Sequence, residues 1–563
     1  MLTSPAVEGT QKTAGALMGW TLFLTALIFA GLQCRHPYFT MTDDNLSAAY
    51  PTLCEVGERL QKGEVPWYTD YLFGGHYDLL RDAQYFGWHP LYLLTSLLVG
   101  TPFQLCILDI ISFFLYLLAA AGFVSLACSL REEGLHKAGD GWIIFCALSF
   151  TFTMMSLTIS ASWFTFENNS GALPWLALGI LQKQWRRGVG LVTFFSIHQI
   201  LGGQALPLIS NSIFLSLFAV GISWWRGSFH PLGFWFGGYA LAVILLLPLL
   251  IPVTEGFFSC YRSSGTYLSD MQSNNIPLGL FSCSFFLGTA LSLSHVPQDG
   301  TVNGIYIFSL GSCAAAWCLV PALLSRVPWR FLEKLTFVLA MVAVILIARP
   351  DFISKAMLHL PVLRSMRWPF RELIQFQFFF HLFLLLRPMT CLPRVRFLTA
   401  LAGTAAFVVP MLLYPVTPTF NDMPYDRQVI LSGQFEPYWA KVRTFFKPGD
   451  RYVVLIPVFP DQADSLTRPF SLMGGYNYAM LAHVVCGSGY SQTTPRDQVY
   501  LKTPIFSPWG AYQIKQRDAL LRECPSLKFV TLESVKPLKV TLSSRDGPTI
   551  DLTPYIPPRT NHW

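Results

Sequence analysis

Long runs of apolar residues recur along most of this sequence, and they constrain its fold more than any other feature. A helix needs about 20 apolar residues to cross a bilayer, or fewer when neighbouring helices shield its ends. Eleven segments qualify as candidate transmembrane helices, at 15–33, 103–128, 141–160, 170–182, 188–201, 205–225, 232–253, 303–324, 332–348, 372–387 and 397–415. The sequence therefore predicts a polytopic α-helical membrane protein.

The composition agrees with this fold class. Only 13% of the residues are charged and 52% are hydrophobic, whereas about a quarter of the residues of a soluble protein are charged. Much of the outer surface is therefore expected to contact membrane lipids. The net charge of +7 contains no dense run of Lys and Arg, so we expect no nucleic-acid partner.

The positions of Lys and Arg predict the orientation in the membrane. Basic residues gather in the short loops on one side, namely Arg131, Lys137, Lys183, Arg186, Arg187, Arg226, Arg326, Arg330, Lys334, Arg387, Arg394 and Arg396. Because short cytoplasmic loops are enriched in basic residues, this side and the N-terminus are predicted to be cytoplasmic. An odd number of crossings then places residues 416–563 on the extracytoplasmic side of the membrane.

The polar connections gather on the opposite, outer side of the predicted membrane. They are the segments 34–102, 161–169, 202–204, 254–302 and 349–371. A channel usually distributes polar residues along a path through the membrane. The one-sided pattern therefore predicts a functional site at the outer surface.

The composition changes near residue 416, which divides the chain into two predicted domains. Residues 1–415 form the transmembrane domain, and residues 416–563 form a small extracytoplasmic α/β or β-rich domain. Cys486 and Cys524 are the two cysteines of this second part. Outside the cytoplasm a disulfide between them is one of two alternatives, the other being two free thiols.

Three strands and one helix are predicted within this C-terminal part. The apolar runs 451–459 and 527–534 indicate buried strands, and a short helix is expected around 516–523. A third strand is predicted at 535–542, where Pro537 favours an edge position because proline cannot donate to a sheet ladder.

Two adjacent carboxylates, Asp43 and Asp44, open the first outer loop at 34–102. A carboxylate at a membrane surface can accept a proton from an attacking hydroxyl as a general base. It can also hold a divalent cation such as Mg²⁺ or Mn²⁺, although the sequence demands no cofactor. The alternative is structural, with Asp-Asp-Asn serving as the N-cap of a following surface helix.

Three arginines, Arg364, Arg367 and Arg371, surround Pro369 in the last outer loop. Guanidinium groups bind phosphate or diphosphate through paired N–H donors, which makes this group a candidate phosphate site. The alternative is that they anchor the helix end at lipid headgroups. Glu255 and Arg262 lie on the same face, where they either join the site or pair with each other.

Several stretches together resemble the YfhO-like bacterial membrane proteins, which belong to the GT-C class of polytopic glycosyltransferases. The similar stretches, in chain order, are Asp43–Asp44, GEVPWYTDYLFGGHYD, Trp88–Pro90, GGQ at 202–204, the Pro252, Glu255, Ser259 and Arg262 pattern, RWPFRE at 367–372, GGYNYAML at 474–481 and GSGY at 487–490. The resemblance thus covers most of the chain. It adds His76 and Gln204 as supporting site residues.

The resemblance implies a glycosyltransferase of the bacterial plasma membrane. The donor would be a sugar on a polyprenyl phosphate, and the acceptor an envelope glycan, lipid or protein on the extracytoplasmic face. Asp43 or Asp44 would be the general base, and the arginines at 364, 367 and 371 would hold the leaving phosphate. The short loop at 254–302 and the compact tail depart from the family pattern.

Two further functions are alternatives to the enzyme. A transporter or flippase for lipid-linked saccharides would be expected to have charged or broken helices near the membrane centre. A non-catalytic assembly factor would bind envelope partners through its C-terminal part. The sequence lacks a P-loop, GxGxxG after a strand, GxSxG and HExxH, which disfavours nucleotide hydrolysis, dinucleotide cofactors, serine hydrolases and zinc proteases.

Overall fold

The computed structural model describes most of the chain. The described residues are 5–82, 88–153, 162–203, 205–259, 278, 281, 285, 310–325, 327–360, 363, 369–387, 424–457, 470–489, 499–503, 511–535 and 537–558. They are mostly helical. The predicted transmembrane segment at 397–415 lies outside them.

Fourteen helices of the N-terminal part are labelled along the chain. They are α1 (Pro5–Arg35), α2 (Tyr50–Gln61), α3 (Pro90–Ser96), α4 (Ile107–Glu132), α5 (Asp140–Thr151), α6 (Thr165–Leu181), α7 (Trp185–Leu201), α8 (Ala205–Arg226), α9 (His230–Leu245), α10 (Leu247–Ser259), α11 (Leu310–Leu324), α12 (Phe331–Ala348), α13 (Asp351–Leu358) and α14 (Leu373–Leu386).

Five further α-helices and seven strands are described. The helices are α15 (Pro424–Leu431), α16 (Phe435–Arg443), α17 (Phe470–Met473), α18 (Tyr478–Ala482) and α19 (Arg517–Glu523). The strands are β1 (Tyr68–Thr69), β2 (Tyr77–Asp78), β3 (Arg451–Ile456), β4 (Ala511–Gln513), β5 (Leu527–Val535), β6 (Leu538–Ser543) and β7 (Ile550–Asp551).

Four helices of the described part are long and apolar enough to cross a membrane, which indicates a membrane-embedded protein. These spans are Ala14–Arg35, Gln104–Glu132, Pro207–Arg226 and Phe331–Ala348. The pair α9 and α10 would add a fifth span, although it is bent by 85°. The described residues do not confirm the predicted eleven crossings, because helices such as α5 and α14 are shorter than the bilayer requires.

The helical bundle is built around α6, which packs against α4, α7 and α8. Small residues let neighbouring helices approach closely. A Cβ on Gly188 of α7 would lie 2.8 Å from the ring of Phe234 in α9, and one on Gly171 of α6 would lie 3.3 Å from the backbone oxygen of Leu115 in α4. These contacts bring α7 close to α9 and α6 close to α4.

One predicted connection differs from the structure. The segment 161–169 is predicted to be an outer loop, but α6 begins at Thr165 and Glu167, Asn168 and Asn169 are buried in its first turns. The polar residues resemble a loop in sequence. The two asparagines are tolerated in a helix here because neighbouring backbone carbonyl groups accept hydrogen bonds from their side chains.

The C-terminal part contains a five-stranded mixed sheet in the order β4-β3-β5-β6-β7. Strand β3 pairs in parallel with β4 and β5, and the remaining pairs are antiparallel. The two strands predicted from the apolar runs are confirmed as β3 and β5, and the predicted helix as α19. The predicted edge position of the third strand is wrong, because β6 lies between β5 and β7 and Pro537 precedes its first residue.

Cys486 and Cys524 are both free thiols in the structure. Successive side chains of a strand point to opposite faces of the sheet. Cys486 packs in the cluster that contains Tyr452 and Val454 of β3, whereas Cys524 packs in the cluster that contains Val453 of the same strand. The sheet therefore separates the two sulfurs, so of the two alternatives the structure has the free thiols.

The C-terminal part packs on the first outer loop, and the two share one hydrophobic cluster. Backbone hydrogen bonds join them, from the Gly74 N–H to the Cys486 carbonyl (2.7 Å) and from the Cys486 N–H to the Tyr71 carbonyl (2.8 Å). Arg451 of β3 also donates to the Gly74 carbonyl at 2.8 Å. This shared packing does not confirm a C-terminal domain that is independent of the rest.

Candidate functional site

Asp43 and Asp44 lie at the start of a buried helical turn. Residues Asn45–Ala49 form a π-helix that leads into α2, and all five are buried. Asp43 adopts a left-handed backbone conformation with φ of 47°, which costs about 1 kcal/mol or more in a residue with a side chain. Single π-helical turns and strained residues occur often at functional sites.

The structure contradicts the alternative in which these residues cap a surface helix. The side chain of Asp44 makes no capping hydrogen bond to the π-helix, and Asp43 and Asp44 are 1% and 4% exposed. The helix that follows is buried along most of its length. A cap needs only the backbone N–H groups of the next turn, whereas the Asp44 carboxylate is directed to another part of the chain.

That partner is Trp163, which immediately precedes α6. The indole Nε1–H of Trp163 donates to Asp44 Oδ2 at 2.5 Å. The neighbouring Asn45 strengthens the same junction, because its Oδ1 accepts from the Phe164 N–H at 3.0 Å and its Nδ2 donates to the Thr40 carbonyl at 2.9 Å. The first outer loop is therefore fixed against the start of α6.

Arg371 lies over the ring of the same indole. It belongs to the 3-10 turn Pro369–Glu372, which leads into α14, and it is 9% exposed. Its Cζ atom is 5.8 Å from the ring centroid of Trp163 and 5.3 Å from that of Phe166. A guanidinium over aromatic faces gains cation–π stabilisation that increases when water is excluded. Trp163 thus contacts Asp44 through its indole N–H and Arg371 through its ring.

Further charged groups extend this site away from Trp163. Glu372 is buried, and its Oε1 accepts from the Ser210 hydroxyl at 2.9 Å. The charges of Arg349 and Arg371 act on Glu372 from two sides. Arg349 is 1% exposed at the C-terminal end of α12, where its φ of 41° is left-handed. Buried ionisable groups in membrane proteins usually mark functional sites, because burying charge is costly.

An amide network borders the site on the side of the helical bundle. The backbone oxygen of Asn169 accepts from Gln199 Nε2 at 3.0 Å and from Asn211 Nδ2 at 3.1 Å. Asn168 Nδ2 donates to the His198 carbonyl at 3.0 Å. These bonds connect α6, α7 and α8, so they hold the first turn of α6 in place.

A pair of histidines links α3 to the end of α7. His89 Nε2 lies 2.8 Å from His198 Nδ1, and His89 Nδ1 accepts from the Leu91 N–H at 3.2 Å. Burial lowers the pKa of His89 to about 4, so the ring is neutral at pH 7. Because its Nδ1 accepts, the proton of His89 lies on Nε2, which donates to His198.

The structure brings together only some of the residues predicted for the site. Asp44 and Arg371 both contact Trp163, and Asp43 precedes Asp44 in the same buried turn. His76 is different, since its side chain is 79% exposed and its ring centroid lies 4.3 Å from that of Tyr68, with the two rings tilted by 36°. Glu255 is exposed near the end of α10. Four predicted site residues lie outside the described part of the chain, namely Gln204, Arg262, Arg364 and Arg367.

The chain matches no protein-family model, no curated protein and no solved structure. The resemblance to the YfhO-like proteins therefore depends on the sequence motifs alone.

Sequence reasoning missed the residues that connect the predicted ones. Trp163, Arg349 and Glu372 were not among the candidates, and Trp163 is 119 positions away from Asp44. An indole at the end of an apolar segment is typical of any membrane protein, so no signal in the sequence distinguishes Trp163. In the described residues, no three His, Cys, Asp or Glu side chains form a metal-binding group.

Proposed function

We propose that this protein is a membrane glycosyltransferase of the GT-C class. It transfers a sugar from a polyprenyl-phosphate donor to a cell-envelope acceptor at the extracytoplasmic face of the bacterial plasma membrane. The proposal includes about eleven crossings, a cytoplasmic N-terminus and an external C-terminal part. The observation that carries it is the contact of Trp163 with both Asp44 and Arg371.

This arrangement supplies the two groups that sugar transfer from a lipid phosphate requires. A carboxylate of the Asp43–Asp44 pair takes the proton of the acceptor hydroxyl, whose oxygen attacks the anomeric carbon of the sugar. The bond between that carbon and the phosphate oxygen breaks, and its electron pair stays with the phosphate. Arg371 stabilises the growing negative charge on the leaving phosphate.

The burial of the site favours this chemistry. Asp43, Asp44 and Arg371 are all less than one tenth exposed. Electrostatic interactions are stronger where water is excluded, and groups held in place need no reorganisation during the reaction. Trp163 holds Asp44 through a hydrogen bond and Arg371 through its ring, so one residue fixes both.

The proposal is tested by single substitutions in the full-length protein in membranes. Asp43→Asn, Asp44→Asn and Arg371→Gln are compared with the wild type for sugar transfer from a radiolabelled polyprenyl-phosphate donor. Loss of the base is expected to lower the rate about 10²–10⁴-fold. Arg371→Gln is expected to weaken donor binding and to slow transfer.

Arg330→Gln is the control, because Arg330 is 48% exposed and lies at the opposite end of α12 from Arg349. Its transfer rate is expected to equal that of the wild type. Full activity in both aspartate variants would exclude the catalytic role of the acidic pair. Unchanged donor affinity in Arg371→Gln would exclude the phosphate role.

A transporter of lipid-linked saccharides is the second candidate, and two observations favour it. The pair α9 and α10 is bent by 85°, and Asn169 and Asn211 form polar contacts between helices. Broken helices and intramembrane polar groups are typical of transporters. Reconstituted liposomes distinguish the two functions, since a transporter moves the labelled lipid-linked saccharide across the bilayer without changing it chemically.

A further inference from the structure

Two glycines, Gly202 and Gly203, follow the last residue of α7 beside the first turns of α6. We propose that Gly202 is a positioning residue for sugar transfer. The space that it leaves free is filled by Asn168 of α6, and this contact fixes the start of α6, which follows Trp163. The inference rests on the proposed glycosyltransferase function and deepens it, because it adds a residue on which the geometry of the site depends.

The space beside Gly202 is occupied by the side chain of Asn168. A Cβ at position 202 would lie 1.2 Å from Nδ2, 2.3 Å from Cγ and 2.9 Å from Cβ of Asn168. Real Cβ atoms essentially never approach another heavy atom within 3.0 Å. Both residues are buried, and Asn168 is 0% exposed. An alanine at position 202 would therefore displace the whole side chain of Asn168 and not only its tip.

The contact carries hydrogen bonds between α6 and the end of α7. Asn168 Nδ2 donates to the His198 carbonyl at 3.0 Å, and the Gly202 N–H donates to the same carbonyl at 3.0 Å. Asn169 Nδ2 donates to the Gly203 carbonyl at 3.4 Å. Carbonyl groups at the end of a helix need partners from outside the helix. Two neighbouring side chains of α6 supply them here.

The two glycines are required for different reasons. Gly203 has a φ of 79°, a left-handed conformation that favours glycine. Gly202 has a φ of −71° and a ψ of −9°, which residues with a side chain adopt without strain. The contact with Asn168 is therefore what disfavours a side chain at position 202. Gly202→Ala changes this contact without straining the backbone.

The start of α6 transmits the position of Asn168 to the candidate site. The Phe166 N–H donates to the Trp163 carbonyl at 2.9 Å, which joins Trp163 to the first turn. Trp163 bonds to Asp44, and the rings of Trp163 and Phe166 both contact Arg371. A shift of this turn displaces the groups that hold the carboxylate and the guanidinium. Displacements of about 1 Å can slow an enzyme about 10²-fold.

The end of α7 is held from a second direction. His89, which precedes α3 in the first outer loop, has its Nε2 atom 2.8 Å from His198 Nδ1. The same loop bonds to the segment before α6, because Asn45 Oδ1 accepts from the Phe164 N–H at 3.0 Å. The first outer loop is therefore joined to both helices that meet at Gly202. A displaced Asn168 alters the fit of all three segments.

The first test compares Gly202→Ala with a matched control on the same helix, Gly190→Ala. A Cβ at position 190 would meet no atom within 4 Å, and Gly190 is exposed. The kcat for sugar transfer is measured per folded protein, below the Tm of every variant. Gly202→Ala is expected to lower kcat about tenfold or more, whereas Gly190→Ala keeps the wild-type value. A purely structural role would lower Tm and leave kcat unchanged, which would overturn the inference.

The second test uses rescue by a smaller side chain. Asn168→Ala removes the two atoms that crowd position 202 most, so Gly202→Ala is expected to slow transfer far less in this background than in the wild type. Equal slowing in both backgrounds would overturn the inference. Asn168→Asp replaces Gly202→Ala if that variant does not fold. It keeps the shape of the side chain but loses the Nδ2–H donor, so kcat is expected to decrease, and a wild-type kcat would overturn the inference.

The third test does not depend on activity. Thermal unfolding of the purified full-length chain is measured for Gly202→Ala, Asn168→Ala and the double variant. The contact predicts Tm shifts that are not additive, whereas additive shifts would overturn it. If the shifts are coupled but the wild type transfers no sugar, the contact stands and the proposed function fails. If the wild type transfers sugar and Gly202→Ala keeps its kcat, the proposed function stands and this inference fails.

Discussion

Two buried arginines lie at opposite ends of α14, and their surroundings differ. Arg387 follows the helix, and the groups that it contacts all belong to α11, α12 and the connection between them. Its Nη1 donates to Glu333 Oε2 at 2.9 Å, and its other nitrogens donate to the carbonyl groups of Ala322, Ser325 and Val327. Its guanidinium also lies over the ring of Trp329.

Arg371 precedes the same helix and lies where three parts of the chain meet. Its guanidinium contacts the rings of Trp163 and Phe166, and its charge acts on Glu372. Trp163 in turn binds Asp44. The comparison teaches that burial alone does not identify a functional arginine. Arg387 joins groups that belong to the helical scaffold, whereas Arg371 adjoins the strained acidic loop.

The largest expected effect is on stability at Arg387. Arg387→Gln removes the closest and only fully buried ion-pair partner of the Glu333 carboxylate and leaves the more distant Arg330 at 4.0 Å, which costs up to about 3–5 kcal/mol of unfolding free energy. Arg371→Gln is expected to destabilise the protein less, because cation–π contacts contribute about 0.5–2 kcal/mol each. Thermal unfolding in detergent measures both. A larger decrease in Tm for Arg371→Gln than for Arg387→Gln would contradict the proposed difference between the two arginines.

A second effect sharpens the comparison for buried carboxyl groups. Glu333 has an arginine partner, whereas hydroxyl and N–H groups surround Asp426 and burial raises its pKa to about 7. In the unfolded chain this pKa is about 4. The folded state therefore binds the proton more tightly, and the stability from this group is full below pH 4 and is lost as the pH rises through 7.

Asp426→Asn removes this dependence. At pH 8 the variant is expected to gain up to about 4 kcal/mol relative to the wild type from the avoided burial of charge, less the loss of specific contacts. The measured quantity is the difference in Tm between wild type and variant from pH 5 to pH 8. A difference that does not change with pH would contradict the assignment.

A smaller effect is expected for Trp163→Phe, which separates the two roles of this residue. The variant loses the Nε1–H donor to Asp44 but keeps an aromatic face for Arg371. The loss of one hydrogen bond to a charged group costs about 1.5–3 kcal/mol. Transfer should therefore slow about tenfold or more while donor affinity stays near the wild-type value. A large loss of donor affinity would place the main function of Trp163 at Arg371.

Much of the helical architecture follows from the sequence, because apolar runs determine where helices form. The strands β3 and β5 were also predicted, since each is a continuous apolar run next to turn residues. The start of α6 was not predicted from the sequence. Glu167, Asn168 and Asn169 have the composition of a loop, and only the neighbouring helices that hydrogen-bond to them explain their burial.

The candidate site was predictable only in part. Asp43, Asp44 and Arg371 stand out because charged residues are rare next to apolar segments. Their connections are long-range, since Trp163 is 119 positions from Asp44 and Ser210 is 162 positions from Glu372. A single sequence carries no information on such pairs. The order of the strands and the contact between Asn477 and Ser47 depend on tertiary packing in the same way.

The central claim is that Asp44 and Arg371 act in one site. A double-mutant cycle on the rate of sugar transfer tests it most directly, with Asp44→Asn, Arg371→Gln and the combination in the same membranes. The account predicts strong coupling, so that the second substitution slows transfer far less in the variant background than in the wild type. Independent effects that multiply would contradict it, because they would place the two residues in separate functions.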